Sequence, residues 1–157
     1  MLIISKTDLG AVRDHGRRDY PRECCGLLLG RRSGDAFVVE RVYPARNRSP
    51  VDVVDRYELD AGDRHYAEEA ARALGLSVVG FYHSHPDHDV YFSETDLRNS
   101  EEYLLGEPWL PPAYAYLVVS VREGKPDGHG AFIVNEGRSA AIDVKVDDPS
   151  EGSSSGD

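Results

Sequence analysis

Short apolar runs alternate with charged stretches of helical period along this chain, and turn residues punctuate them. Leu2-Ile3-Ile4 predicts a short strand. Ser5 or Thr7 then offers a cap for a helix through about Asp19, which Pro21 ends. Cys24 to Arg31 is an apolar run of strand length. Ser33-Gly34-Asp35 reads as a turn, and Ala36 to Tyr43 as the partner strand of a hairpin. Arg46 to Pro50 is a polar loop, followed by a short strand over Tyr57 to Leu59. Asp60 caps a predicted helix from Ala61 to Leu74, with Gly75 past its end. Leu76 to Tyr82 predicts a buried strand that runs into His83-Ser84-His85-Pro86. Asp87 to Phe92 is a polar loop, and Ser93 opens a helix to about Leu105. Gly106 to Pro112 is a proline-rich loop that carries Trp109. Tyr114 to Val121, Gly128 to Asn135 and Ala140 to Val146 predict three final strands.

This alternation predicts an α/β (α+β) fold: a mixed central β-sheet flanked by helices, in one domain over 1–146. The segment 147–157 has no hydrophobic residue and is expected to be a disordered tail. A length of 157 residues with 40% hydrophobic content suits one such domain. The formal net charge of −10 argues against a nucleic-acid backbone or an anionic membrane as partner, since both are bound through Lys and Arg. No run approaches the roughly 18 apolar residues of a membrane span, and the first residues lack the basic start of a signal peptide. A cytoplasmic location is therefore expected. Cys24 and Cys25 are the two cysteines; being adjacent, they provide no disulfide framework.

The candidate chemistry sits at the end of the strand predicted over Leu76 to Tyr82. Residues i and i+2 of a strand point the same way, so His83 and His85 converge while Ser84 faces away. Neutral imidazole is a good zinc ligand, and Pro86, without an N–H, helps to end the strand. A third ligand is available eleven residues on: Asp96 falls in the first turn of the next helix. Two histidines, a carboxylate and one open position describe a catalytic zinc site. Ser93-Glu94-Thr95-Asp96 equally reads as a helix N-terminus, with Ser93 as the cap and Asp96 reaching back. The two roles are compatible. His88 is read as a solvated loop residue, and His15, His65 and His129 have no partner at ligand spacing. Of Cys24 and Cys25, one is expected to alternate into the core as a small apolar residue; Trp109 is read as a loop pin, and Arg46-Asn47-Arg48 as a polar loop.

The order His83-x-His85-Pro86, six residues, Ser93-x-x-Asp96 resembles the signature of the JAMM, or MPN-plus, metalloproteases. Glu23-Cys24-Cys25-Gly26-Leu27-Leu28-Leu29-Gly30 is similar to the glutamate strand of that family. The resemblance spans about Met1 to Val146. It implies a JAMM/MPN fold, cytidine-deaminase-like in outline. It implies one Zn2+ per chain on His83, His85 and Asp96, with the metal-bound water as nucleophile. Glu23 would be general base and Ser93 would stabilise the oxyanion. Only the resemblance singles out Glu23 among the acidic residues. The implied substrate is a peptide or isopeptide bond after the C-terminal Gly-Gly tail of a ubiquitin-like or sulfur-carrier protein of the ThiS or MoaD kind. A deubiquitinase-like deconjugating protease and a non-catalytic scaffold are the alternatives. A zinc nucleobase deaminase is set aside, because that chemistry uses His-x-Glu and a later Cys-x-x-Cys, which this chain lacks.

Overall fold

In the computed structural model, the structure describes residues 1–54, 56–103, 114–135 and 137–148, with the backbone alone for 99–103. Trp109 and its proline-rich loop lie outside the described residues, as does the tail from 149 on.

β1 (Leu2–Ser5) leads directly into α1 (Lys6–Asp19). Of the two possible caps Ser5 is the one used, its hydroxyl accepting from the Asp8 N–H at 3.0 Å. β2 (Cys25–Ser33) and β3 (Ala36–Ala45) form the expected hairpin. Its tight turn needs a left-handed first residue, which Gly34 supplies at φ 58°. α2 (Ala61–Ala73) is capped by Asp60, which accepts from the Asp63 N–H at 2.8 Å. β4 (Ser77–Pro86), α3 (Glu94–Tyr103), β5 (Ala115–Arg122) and β6 (Lys125–Asn135) follow. Tyr57 to Leu59 forms no strand; Leu59 makes one isolated bridge to Asn47.

The last expected strand is two. β7 (Arg138–Ile142) pairs with β6, whereas β8 (Val144–Asp147) pairs with β1. The sheet order is β7-β6-β5-β4-β2-β3-β1-β8, so the two edges are occupied by strands separated only by Asp143. One residue spans both edges only if the eight-stranded sheet curls until they approach each other. The Asp143 carbonyl completes the join by accepting from the Leu2 N–H at 2.8 Å. The sheet is mixed: β1 is parallel to β3 and β8, β4 is parallel to β5, and the remaining pairs are antiparallel.

Strand alternation sorts the core into two faces. Leu9 and Val12 of α1 pack with Leu28, Phe37, Tyr82, Leu117 and Val119 on one face. Ala67 and Ala71 of α2 pack with Cys25, Leu27, Leu29, Phe81 and Tyr116 on the other. Leu27, Leu28 and Leu29 are all fully buried because β2 is central and covered on both sides. Burial of each contributes about 1.5–3 kcal/mol before chain entropy opposes it. Gly26 is fixed by close approach, since the Tyr82 ring of the neighbouring strand occupies the space its Cβ would take.

Candidate metal centre and hydrolytic site

β4 carries Phe81 toward the α2 face, so His83 and His85, two and four residues on, face the same way. The α3 N-terminus folds back over the end of this strand and brings Asp96 to them. Asp96 Oδ2 lies 3.1 Å from Nε2 of His83 and 3.1 Å from Nε2 of His85. The two imidazole nitrogens are 3.3 Å apart. All three residues are buried. Zinc bonds of about 2.0–2.1 Å in tetrahedral geometry set neighbouring ligands about 3.3 Å apart. The three donor atoms therefore already form one face of a tetrahedron of that size. Their chemistry, two imidazole nitrogens and a carboxylate oxygen, is equally suited to zinc. They are the one such cluster of His, Cys, Asp and Glu groups among the described residues.

Each ligand has its own support. His85 Nδ1 is 3.0 Å from the Asp89 carbonyl, which can only accept. Nδ1 therefore carries the proton, and the Nε2 lone pair points into the cluster. His83 is fully buried and its Nδ1 has no hydrogen-bond partner among the described residues. Its ring is steered by stacking on Tyr57, centroids 4.8 Å apart at 27°. Tyr91 meets the His85 ring edge-on at 4.8 Å. Asp96 and Ser93 form the expected reciprocal cap: the Ser93 N–H donates to Asp96 Oδ2, and the Asp96 N–H donates to Ser93 Oγ, both at 3.0 Å. Burial pushes the Asp96 carboxyl upward. The adjacent His83 and the hydrogen bond from the Ser93 N–H outweigh it and hold the carboxyl below the usual range.

Glu23 comes from the far side of β2. Cys25 pairs with His83 in the antiparallel β2–β4 ladder. The Ser84 N–H donates to the Cys24 carbonyl at 3.2 Å, which extends the same register. Two residues before Cys25, Glu23 is thus set opposite His85, and paired residues share a face. It is buried.

The other candidates separate cleanly. His88 is exposed, and its carbonyl accepts from the Ser120 hydroxyl at 2.6 Å. His65 is exposed on α2. His129 accepts from Arg13 at 2.9 Å. His15 is buried, 2.7 Å from the Tyr82 hydroxyl and 3.3 Å from Asp19, on the α1 face behind the cluster. The Cys24 thiol is pushed up to about 12 and that of Cys25 well above its usual value, in both cases first by burial. Both stay neutral thiols at physiological pH, which is the wrong state for a nucleophile. Arg46 and Arg48 pair with Asp60, and Arg46 also with Asp63. Sequence reasoning missed the aromatic supports Tyr57 and Tyr91 and the bonding of Asn47. Nothing in the local sequence distinguishes them from ordinary loop residues.

Residues 5–131 match the family described as prokaryotic homologs of the JAB domain. The chain is 36% identical over 120 residues to a desampylase of Haloferax volcanii, covering 76% of this chain and 74% of that protein. It is 34% identical over 125 residues to the CysO-cysteine peptidase of Mycobacterium tuberculosis, covering 78% and 75%. A solution structure of a protein from Desulfitobacterium hafniense superposes with a TM-score of 0.77 at 29% identity, covering 94% of each chain.

Proposed function

The chain belongs to the prokaryotic homologs of the JAB domain, and from that premise we propose a zinc metallopeptidase. It hydrolyses the peptide or isopeptide bond that follows the C-terminal Gly-Gly tail of a ubiquitin-like or sulfur-carrier protein. His83, His85 and Asp96 would hold one zinc ion per chain. Bound there, zinc supplies Lewis acidity, which brings the pKa of water from about 15.7 toward about 7 and polarises a carbonyl. Glu23 takes the proton of the attacking water and passes it to the leaving amine. Ser93 Oγ already accepts from the Asp96 N–H, which leaves its O–H to donate to the oxyanion that develops on the attacked carbonyl. The His85–Asp89 bond keeps that imidazole in the ligating tautomer.

The observation that carries this reading is the buried triangle of two Nε2 atoms and one Oδ2, 3.1–3.3 Å on a side. A scaffold that only bound partners would have no use for such a costly arrangement, because buried polar groups cost free energy unless they are paired. The sulfur-carrier and the modifier readings are chemically one reaction with different leaving groups.

The test uses the full chain with zinc, offered a carrier–cysteine adduct and a lysine isopeptide conjugate, with the released group detected by mass. Cleavage after Gly-Gly, retained zinc and lost turnover in Glu23→Gln are expected. Zinc loss in Glu23→Gln, or turnover at the wild-type rate, would show that Glu23 is not the base.

A further inference from the structure

The peptide unit between Glu23 and Cys24 is gripped from both sides. Its carbonyl accepts from Asn47 Nδ2 at 2.9 Å. Its N–H donates to Ser84 Oγ at 2.8 Å, a buried bond. Ser84 stands between His83 and His85, with its side chain on the opposite face of β4.

Asn47 is itself over-determined. Its Oδ1 accepts from the Ser49 N–H at 3.0 Å, the Ser49 hydroxyl at 2.8 Å and the Glu58 N–H at 3.0 Å. Three donors meet one oxygen and a carbonyl meets the nitrogen, so the amide has a single consistent orientation. Arg22, next to Glu23, donates to the Ser49 carbonyl at 2.6 Å and so ties the same loop to the same segment. Tyr57, which stacks on His83, sits at the far end of that loop.

We propose that Asn47 is a positioning residue for Glu23: with Ser84 it clamps the Glu23–Cys24 peptide and so aims the carboxylate at the cluster. This inference rests on the hydrolytic reading above. A peptide held at one end rotates about the adjoining Glu23 bonds, whereas one held at C=O and N–H together is fixed in plane. Ser84 couples that plane to the strand of the two histidines, and Asn47 couples it to the loop that carries Tyr57. A misplacement of about 1 Å in a reacting group costs on the order of 100-fold in rate.

Asn47→Asp tests it, because Asp keeps the acceptor for Ser49 and Glu58 and replaces the donor to the Glu23 carbonyl with a carboxylate oxygen that repels it. In the zinc-loaded full chain, kcat is expected to fall about 10- to 100-fold, with KM within about twofold and zinc content unchanged. Asn47→Ala should do the same. Combined with Glu23→Gln, Asn47→Asp should add no further loss to the residual turnover, because an aim has no effect once the base is gone. A merely structural role would lower the double variant again. Unchanged kcat in Asn47→Asp beside an inactive Glu23→Gln overturns the positioning role alone. Loss of zinc or of the folded state in both Asn47 variants overturns it as well, since Asn47 would then hold the fold. Full activity in Glu23→Gln would instead remove the base assigned above, and absence of turnover in the zinc-loaded parent chain would bring down the hydrolytic reading itself.

Discussion

Gly26→Ala puts a single methyl group into the most crowded point behind the candidate site. Gly26 has no positive φ, so its backbone accepts alanine, and in an open strand the change would be stabilising by about 0.5–1 kcal/mol. Here the added Cβ would come inside 3.0 Å of the Tyr82 ring and hydroxyl, closer than real Cβ contacts occur. Tyr82 is 1% exposed and has no open side to move into. Overpacking of this kind costs about 1–3 kcal/mol. If the ring shifts, its hydroxyl leaves His15, 2.7 Å away, and a buried hydroxyl without a partner costs about 1–3 kcal/mol more.

The net expectation is a loss of about 2–4 kcal/mol. At about 2–4 °C per kcal/mol for a domain of this size, Tm falls by about 5–15 °C. Urea unfolding should show a lower midpoint with an unchanged slope, and calorimetry the lower Tm. Tyr82→Leu supplies the control. It removes the ring, so Gly26→Ala in that background should lose most of its cost, and the coupling between the two should be close to the cost itself. Because Tyr82 precedes His83, Gly26→Ala should also weaken zinc binding in a competitive titration. A Gly26→Ala protein as stable as the parent would refute the reasoning, for it would mean that the ring does not fill that space.

Two further outcomes follow from the same geometry. Asp96→Ala should lose zinc and, with it, the rise in Tm that zinc gives the parent chain; the carboxylate Oδ2 that both histidines face is gone, and metal content measured by elemental analysis checks this. Stability should fall as pH rises from the ordinary thiol range near 9 toward about 12, because burial keeps the Cys24 proton on in the folded chain while the unfolded chain releases it. The slope is at most about 1.4 kcal/mol per pH unit for each such thiol. The decline of the urea midpoint across that range should become shallower in Cys24→Ala, with buried Cys25 supplying the remainder, and a parent curve with no alkaline decline would contradict the burial argument.

Most of the elements are legible in the sequence because their signals are local. Ser5 and Asp60 cap helices that begin where their types and the apolar period place them. The β2–β3 hairpin is visible because Gly34 sits between two apolar runs. The one strand expected over Ala140 to Val146 failed for the opposite reason. Ala141-Ile142-Asp143-Val144 has no turn residue strong enough to announce a break. The chain changes partners there because the sheet curls, and curling is a property of all eight strands together.

The same division runs through the site. His83 and His85 are two apart on one strand, so their convergence is written in a three-residue window, and Ser93 with Asp96 in a four-residue one. Glu23 is sixty-two residues from His85, and no spacing rule reaches that far. What sets it opposite His85 is the register of β2 against β4, and that register is specified by complementarity: Gly26 leaves room for Tyr82, the Cys24 N–H donates to Ser84 Oγ, and the Ser84 N–H donates to the Cys24 carbonyl. A slip of one residue would turn Glu23 to the other face. The donor triangle is therefore a local feature, whereas the placing of Glu23 is a consequence of sheet packing. A variant can keep the first and lose the second. That separability makes zinc content and turnover two independent readouts for variants of Gly26, Asn47 and Ser84, none of which is a donor of the triangle.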